Sequence, residues 1–316
     1  MSYIQALARR FSKQSIAKFR LRFLRPFLAK KYTNYNSGDF LKSLERIGIN
    51  PGDSLFLMYS QDQIYLKTGK LVPIKSLLKD LITYLGEDST LMTLCFPIDR
   101  DQISEKTKVF NIKKTATESG MMAEILRRKK GSVRSLNPIF STISYGQKAQ
   151  LFSGNHHQSP YPFGPLSPYY QIMGDGAKYL GIGVGFEAFT PCHMIEDHFK
   201  DKFKHKIYYE DPEEFTVKLS DGCEQLVSTY MRNPATFPKG GYDPIYYFSL
   251  LDISNSQAFT QSGIKLFTFK MQDFFDAAVN IYTAKEITVW DTGSLTFNIS
   301  KAIKKLLRKT IKTQTG

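Results

Sequence analysis

The sequence predicts a layered α/β fold in which helices flank a largely parallel central sheet. Short apolar runs, typical of buried strands, alternate along residues 54–182 with longer segments whose apolar residues recur every three or four positions. Gly or Pro follows several of these segments, and both residues commonly end strands and helices. Strands that alternate with helices in this way are typical of parallel sheets whose faces are covered by the helices.

The individual elements are predicted in chain order. A buried strand over residues 54–58 follows the turn Pro51-Gly52-Asp53, and a helix with one apolar face covers 71–85 and ends at Gly86. Further strands are predicted at 90–96, 140–144, 177–182 and, as an edge strand, 287–290, and further helices at 118–128 and around 276–282.

The composition is that of a packed globular protein. Of the 316 residues, 42% are hydrophobic and 14% are aromatic, which argues against a disordered chain. No apolar run approaches the roughly 18–20 residues that cross a bilayer, and the basic N-terminus lacks the apolar core and cleavage site of a secretory leader. Cys95, Cys192 and Cys223 show no pairing pattern, so the reducing cytoplasm is the expected location.

The positive charge is concentrated at the two ends of the chain. Residues 1–31 carry nine basic side chains and no acidic one, and residues 301–316 carry six more, so the formal net charge of +14 falls to about −1 for the rest. Apolar residues recur every three or four positions in both segments, which predicts basic amphipathic helices. We therefore expect a basic N-terminal extension over 1–36, one globular domain over 37–300 and a basic C-terminal tail over 301–316.

Two interpretations of these basic segments remain open. A basic amphipathic helix can lie on an anionic membrane surface, each basic residue adding on the order of 1 kcal/mol, which would place the protein at the inner face of the membrane. Alternatively, the helices dock on the body of the protein or form the contact of a homodimer. Nucleic-acid binding is not expected, because no nucleic-acid-binding motif accompanies the charge.

The segment Thr190-Pro191-Cys192-His193-Met194-Ile195-Glu196 predicts a helix start that carries a catalytic pair. Thr is a good N-cap, and Pro fits the first helical position because its missing N–H would have no partner there. His193 and Glu196 are three residues apart and therefore share one face of the helix. The positive end of the helix dipole favours the neutral imidazole that a general base must be, and a neighbouring carboxylate can fix its tautomer.

A second group of polar residues lies upstream and begins with His156 and His157. Four of the five histidines of the chain, these two together with His193 and His198, fall within a 43-residue window. Such a concentration is hard to explain as surface decoration, and it predicts that some of these histidines are functional.

Five motifs through the body of the chain follow the order of a known family. They are Gly52-Asp53 before a strand ending at Ser60; Gly120-x-x-x-Glu124-x-x-Arg127-Arg128; Arg134-Ser135-x-Asn137-Pro138-x-x-Ser141; His157 before Phe163-Gly164-x-x-Ser167-Pro168; and Thr190-x-x-His193-x-x-Glu196. On these motifs, residues 37–290 resemble the aminoglycoside 3-N-acetyltransferase family. The resemblance implies an enzyme that transfers an acetyl group from acetyl-CoA to an amine of an amino sugar.

The resemblance also implies roles for the residues of the acceptor side. His193 is the expected general base and Glu196 the carboxylate that orients it. His157 matches another histidine of the family and is expected in the same pocket, with His156 as its solvent-facing neighbour. No metal ion is expected in the site.

On the donor side, the resemblance implies residues that bind acetyl-CoA. Arginine suits the pyrophosphate and hydroxyl groups suit the pantetheine amides. The residues expected in these roles are Ser60, Arg134, Ser135 and Ser141. Met58 and Asn137 stand where many members have histidine, and Asn111 where many have aspartate, so an acyl donor other than acetyl-CoA remains an alternative.

The charge distribution bears on the acceptor. Enzymes that bind polycationic drugs gain from acidic clefts, whereas this body is close to neutral and lies between basic segments. We therefore expect a nucleotide-linked or lipid-linked amino sugar of surface polysaccharide biosynthesis, with aminoglycoside resistance as the alternative.

Two functions of other classes remain open. A zinc hydrolase could use His157, His193, Glu196 and His198, although their spacing matches no familiar set of zinc ligands. A binding module without catalysis would be consistent with Met58 in place of histidine.

Overall fold

The computed structural model describes residues 35–237, 242–253 and 255–292. The predicted C-terminal tail lies outside these ranges, as does almost all of the predicted N-terminal extension, so their predicted helices and membrane contacts stay predictions. Within the described ranges, no helix combines the length and the apolar character that a membrane crossing requires.

The described residues alternate between strands and helices. The strands are β1 Leu55–Tyr59, β2 Thr90–Leu94, β3 Val109–Asn111, β4 Val133–Arg134, β5 Thr142–Gly146, β6 Lys178–Ile182, β7 Glu213–Lys218, β8 Glu224–Thr229, β9 Gln257–Gln261 and β10 Ile264–Lys270. The α-helices are α1 Ser37–Arg46, α2 Gln61–Thr68, α3 Ile74–Leu85, α4 Arg100–Gln102, α5 Met121–Arg128, α6 Ala149–Ser153, α7 Pro168–Gly174, α8 Met194–His198, α9 Pro244–Leu250 and α10 Met271–Lys285.

A seven-stranded sheet in the order β4-β5-β2-β1-β6-β10-β9 forms the centre of the molecule. The central strands β2, β1 and β6 are parallel, with Leu55 opposite Leu91 on one side and Lys178 on the other. The outer strands pair antiparallel, β5 with β2 and β10 with β6. A second sheet, β3-β7-β8, has three strands.

The two faces of the central sheet carry different side chains, because successive residues of a strand point to opposite sides. One face is rich in aromatic residues, among them Phe56, Tyr179, Phe267 and Phe269, and packs against residues of α7, α8 and α10. We call it the aromatic face. The other face is mainly aliphatic and packs against α1, α3 and α5. The core therefore consists of two layers of side chains separated by the sheet.

The predicted layered α/β fold is confirmed; two predicted features differ from the structure, and the strands β3, β4 and β7 to β10 were not predicted. Parallel pairing in the large sheet is confined to its three central strands, and the strands on both sides are antiparallel. Residues 287–290 were expected as an edge strand, but Val289–Asp291 forms a 3-10 turn. The physical reason is a capping box, in which the Thr288 side chain accepts from the backbone while the Asp291 carboxylate accepts from the Thr288 N–H.

Candidate active site

The segment that follows β6 brings the predicted catalytic pair to the aromatic face of the sheet. Two 3-10 turns, Phe186–Ala188 and Thr190–His193, lead directly into the short helix α8. The prediction that Thr190 caps a helix is wrong: Thr190 opens the second 3-10 turn, and no side chain caps that turn. His193 is the residue that precedes the first α-helical turn.

His193 and Glu196 are in direct contact, as their spacing predicts. Nδ1 of His193 lies 2.7 Å from Oε1 of Glu196. The carboxylate can only accept, so Nδ1 carries the proton and Nε2 is left with a free lone pair. Nε2 has no hydrogen-bond partner among the described residues, and 13% of the His193 side chain remains exposed. The imidazole therefore presents an unpaired acceptor nitrogen at the surface of the site.

The carboxylate of Glu196 is the centre of a buried polar cluster. Its Oε2 accepts from the Arg232 guanidinium at 2.6 Å, and its Oε1 also accepts from Trp290 Nε1 at 2.5 Å. Only 3% of the Glu196 side chain is exposed. A buried carboxylate needs such partners to remain charged, and Arg232 supplies the neutralising charge. We call His193, Glu196, Arg232 and Trp290 the dyad cluster.

The charges of the dyad cluster favour a neutral imidazole. Burial lowers the pKa of His193, and the Arg232 guanidinium lowers it further, against the opposing effect of Glu196. For Glu196, the guanidinium and His193 outweigh the effect of burial, and the pKa of its carboxyl is lowered. The neutral form of His193 was expected from the helix dipole. Burial and Arg232 provide the stronger reason, because α8 has only five residues.

Aromatic rings hold the imidazole in place. The Trp290 ring stacks on His193 with a centroid distance of 5.6 Å, and Tyr242 stacks on it at 6.1 Å. Phe163 packs against the same imidazole at 5.5 Å. These contacts, together with the bond to Glu196, fix the direction in which Nε2 points.

The protonation state of His193 gives a first testable prediction. Since its pKa is lowered from 6.5, the ring should remain neutral at neutral pH and become protonated only at more acidic pH. NMR titration of the histidine ring signals checks this, with His193→Gln identifying the signal that belongs to His193. A midpoint at or above 6.5 would contradict the electrostatic description of the cluster.

Asp197, next to Glu196, ties two walls of the site together. Its carboxylate accepts from the Phe163 backbone N–H and from the Tyr208 hydroxyl, both at 2.7 Å. Burial raises the pKa of Asp197 to about 7, although both hydrogen bonds oppose the shift. Asp197 thereby anchors Phe163, which in turn packs on His193.

Of the two upstream histidines, His156 is the more buried, whereas the sequence predicted it to be the more exposed. His156 was expected to face solvent, but it is only 1% exposed, with Nδ1 2.9 Å from Ser135 Oγ and Nε2 2.9 Å from the Pro162 carbonyl oxygen. His157 is half-buried, and its Nδ1 is buried without a partner among the described residues. No hydrogen bond or ring contact in that part of the chain joins His157 to the dyad cluster.

His156 should make folding stability depend on pH. Burial lowers its pKa to about 4, from an ordinary 6.5 in the unfolded chain. The unfolded state therefore binds the proton first, and stability is lost as pH falls from about 6.5 to about 4, by about 3 kcal/mol at most. Urea unfolding of wild type and His156→Gln across this range measures the difference. If the free energy of unfolding depended on pH identically in the two proteins, the role given to His156 would be contradicted.

The four residues expected to bind acetyl-CoA do not form one exposed surface. Arg134, Ser135 and Ser141 are buried and have partners within the protein: the guanidinium donates to the carbonyl oxygens of Cys95, Ile112 and Thr115, and the Ser141 hydroxyl donates to that of Cys95. Ser135 Oγ accepts from the Thr142 N–H and contacts His156. These bonds support a structural role.

Ser60 lies elsewhere, at the carboxyl end of the central strand β1. It is the N-cap of α2, where its hydroxyl accepts from the Gln63 N–H at 3.2 Å, and it is partly exposed. Its backbone is crowded by Gly183, where a Cβ atom would lie 2.8 Å from the Ser60 carbonyl oxygen. Of the four, Ser60 is the one accessible to a ligand.

Comparison with known proteins identifies the family of this chain. The model of the family described as aminoglycoside 3-N-acetyltransferase matches residues 68–281. This chain belongs to that family. It is similar to aminoglycoside N(3)-acetyltransferase VII of Streptomyces paromomycinus and aminoglycoside N(3)-acetyltransferase III of Pseudomonas aeruginosa, each 25% identical over 54% of this chain. The matches span 63% and 66% of those two relatives, which is just under two thirds of their length.

Solved structures show the same fold. Aminoglycoside acetyltransferase AAC(3)-Xa matches with a TM-score of 0.64 at 18% identity, over 78% of this chain and 92% of that one. AAC-IIIb in a binary complex with CoASH matches with a TM-score of 0.63 at 15% identity, over 80% of this chain and 98% of that one. AAC-VIa bound to sisomicin matches with a TM-score of 0.65 at 17% identity, over 80% of this chain and 99% of that one. At these identities the likeness shows a shared fold.

The positions at which this chain departs from the family pattern have structural uses here. Asn111 Oδ1 accepts from the backbone N–H groups of Lys113 and Lys114, and thereby forms a turn. Asn137 is buried and accepts from the Ile139 and Phe140 N–H groups, while its amide donates to Thr229. Met58 packs against the aromatic face.

Three aromatic or charged residues of the site were missed by sequence reasoning. Arg232, Tyr242 and Trp290 lie far along the chain from His193, outside every motif. Trp290 is the only tryptophan of the chain, which was the one available signal.

The zinc alternative is not supported by the arrangement of side chains. Across the described ranges, no three His, Cys, Asp or Glu side chains form a group that could hold a metal ion. His198 bonds through Nδ1 to the Tyr170 hydroxyl at 3.1 Å.

Proposed function

We propose that the protein transfers the acetyl group of acetyl-CoA to the amine of an amino sugar, with His193 as the general base. The observation that carries the proposal is the imidazole itself. It is neutral, its Nδ1 is bound to Glu196 at 2.7 Å, and its Nε2 is unpaired. Family membership supplies the reaction class, and the imidazole supplies the group that such a reaction requires.

The main chemical task of the protein is to remove a proton from the amine. Amines of amino sugars are mostly protonated at neutral pH and must lose a proton to become nucleophilic. Nε2 of His193 accepts that proton, and the negative Glu196 stabilises the imidazolium that forms. The amine nitrogen bonds to the acetyl carbonyl carbon as the carbon–sulfur bond breaks, and the proton on His193 goes to the departing sulfur. The second proton that the nitrogen loses on becoming an amide is released to solvent.

Glu196 is a positioning residue in this scheme. It holds the Nδ1–H tautomer, and its own position is fixed by Arg232 and Trp290. For the donor, Ser60 is the predicted residue that is accessible, and it lies at the start of a helix next to the backbone of Gly183. Four of the predicted residues would contribute indirectly, by holding in place the loops that they contact: Arg134, Ser135, Ser141 and His157.

An aminoglycoside is the first acceptor to test, because both curated relatives are named as aminoglycoside N(3)-acetyltransferases. Solved structures of the same fold contain sisomicin, a gentamicin and apramycin. The second candidate is an anionic amino sugar, nucleotide-linked or lipid-linked, as used in surface polysaccharide biosynthesis. Lys200 and Lys206, which line a pocket beside Glu196, favour this anionic acceptor.

Purified protein should be incubated with acetyl-CoA and a panel of aminoglycosides, simple amino sugars and nucleotide-linked amino sugars. Release of free thiol and a product heavier by one acetyl group are expected with at least one amine. The absence of thiol release and of acetylated product across the panel would contradict the proposed function.

A further inference from the structure

A pocket of about 420 Å³ opens directly beside the dyad cluster. Glu196 forms part of its lining, so the pocket and the cluster share one side chain. The rest of the lining comes from the loop at Tyr161, from Lys200, Phe203 and residues 205–210 after α8, and from Tyr230 after β8. It is large enough for one sugar ring with its substituents.

The walls of this pocket are connected by backbone hydrogen bonds. The Tyr230 N–H donates to the Pro160 carbonyl oxygen at 2.9 Å, and the Tyr209 N–H donates to that of Met231 at 3.1 Å. The Asn233 N–H donates to the Ile207 carbonyl oxygen at 2.8 Å. The pocket is therefore preformed, which lowers the entropic cost of binding.

Tyrosine rings make up one side of the pocket. Tyr161 and Tyr230 lie 4.6 Å apart between ring centroids, and Tyr208 packs within 6.2 Å of Tyr161 and 5.8 Å of Tyr230. All three are partly exposed. Their apolar faces suit the C–H surface of a sugar ring, and the hydroxyl groups of Tyr161 and Tyr230 can bond to its oxygens, whereas that of Tyr208 donates to Asp197.

The charge in the pocket differs from what a polycationic acceptor needs. Lys200 lies 5.0 Å from the Tyr161 ring centroid, and its one ion pair with a described residue is to the highly exposed Asp201 at 3.3 Å. Lys206 makes no ion pair with any described residue. Glu196 is neutralised by Arg232 at 2.6 Å, so Glu210 is the one acid of the lining without a counter-ion in the described part of the chain.

We propose that this pocket binds the sugar ring of the acceptor and that Lys200 and Lys206 bind an anionic group, a phosphate or a carboxylate, carried by that acceptor. The inference rests on the proposed acetyl transfer and names the class of its substrate. Cations placed around a preformed aromatic pocket provide both charge attraction to the anion and repulsion of a polycation.

Ligand binding can be measured apart from turnover. Trp290 is the only tryptophan, and it donates to Glu196 at the edge of the pocket, so its fluorescence should report occupancy. Glucosamine, glucosamine 6-phosphate and 2-amino-2-deoxyglucuronic acid are titrated into the full chain, with calorimetry as a second readout. Two exposed lysines should favour glucosamine 6-phosphate over glucosamine, which lacks an anionic group, by about fivefold to tenfold. The uronic acid shows whether a carboxylate is sufficient.

The double variant K200Q/K206Q should lose this preference. The matched control is K42Q/K202Q, which removes two exposed lysines that do not line the pocket and should retain it. Raising NaCl should weaken the preference in the wild type, since exposed charges are screened. Equal affinity of the wild type for all three sugars, or an unchanged preference in K200Q/K206Q, would overturn the proposal.

The two proposals can fail separately. Acetylation of amines without any preference for anionic sugars would leave the enzyme function standing and remove the pocket assignment. Preferential binding of the anionic sugars without acetyl transfer to any amine would support the pocket assignment and contradict the enzyme function.

Discussion

Replacing His193 with Ala is expected to lower kcat for acetyl transfer by about 10²- to 10⁴-fold, the usual contribution of a positioned general base. The physical reason is the unpaired Nε2, which has no substitute in the cluster: Glu196 is engaged by Arg232 and Trp290, and burial raises the pKa of Cys192 to about 12. Initial rates of thiol release at saturating acetyl-CoA measure the effect.

The matched control for this variant is His198→Ala, five residues further along. His198 is exposed and bonds to the Tyr170 hydroxyl, so its loss should leave kcat within about twofold of wild type. Circular dichroism should show both variants folded. A His193→Ala enzyme that retains the wild-type kcat would remove His193 from the mechanism.

Replacing Arg232 with Met is expected to cost about 3–5 kcal/mol of stability, because it leaves the Glu196 carboxylate buried without its counter-ion. The control is Arg128→Met. Arg128 also contacts a glutamate, Glu124 at 2.6 Å, but its side chain is 70% exposed, and such pairs contribute about 1 kcal/mol or less. Urea unfolding at pH 7 measures both.

Two further measurements separate charge burial from lost packing. The double variant R232M/E196Q should be more stable than R232M alone, because the neutral amide removes the uncompensated charge. In R232M, the pKa of His193 should rise, since the guanidinium lowers it in the wild type. A destabilisation of R232M no larger than that of Arg128→Met would contradict the importance given to the buried pair.

The sequence predicted the His193–Glu196 contact because that contact is local. Two residues three apart meet on one helical face whatever the rest of the chain does, and both lie in one motif. Arg232 and Trp290 reach the same carboxylate from 36 and 94 residues away. Only the folded arrangement of the loops after β8 and α10 brings them there, and their spacing carries no signal.

Adjacent residues were the hardest to distinguish. His156 and His157 share one 3-10 turn, and neighbouring positions of a turn point in different directions that no periodicity fixes. The structure buries His156 between Ser135 and the Pro162 carbonyl oxygen. Ser135 therefore belongs to the internal packing around His156, although its motif had suggested a ligand contact.

The fold was more predictable than the site, because hydrophobic patterning identifies strands and helices without knowledge of their partners. The buried runs at β1, β2 and β6 and the helices α3 and α5 lie close to their predicted positions. Strand direction was predicted less completely: the strand expected near β5 pairs antiparallel, and no strand was expected at β10, which also pairs antiparallel. The Thr288–Asp291 capping box is a sequence pattern that could have excluded the expected edge strand.

The most direct test of the central claim is chemical rescue of His193→Gly by free imidazole. If His193 acts as the base, the variant should be nearly inactive alone, and thiol release should rise with the concentration of neutral imidazole, with no comparable rise in the wild type. Wild-type turnover by the variant without imidazole, or an equal acceleration of both proteins by imidazole, would contradict the claim.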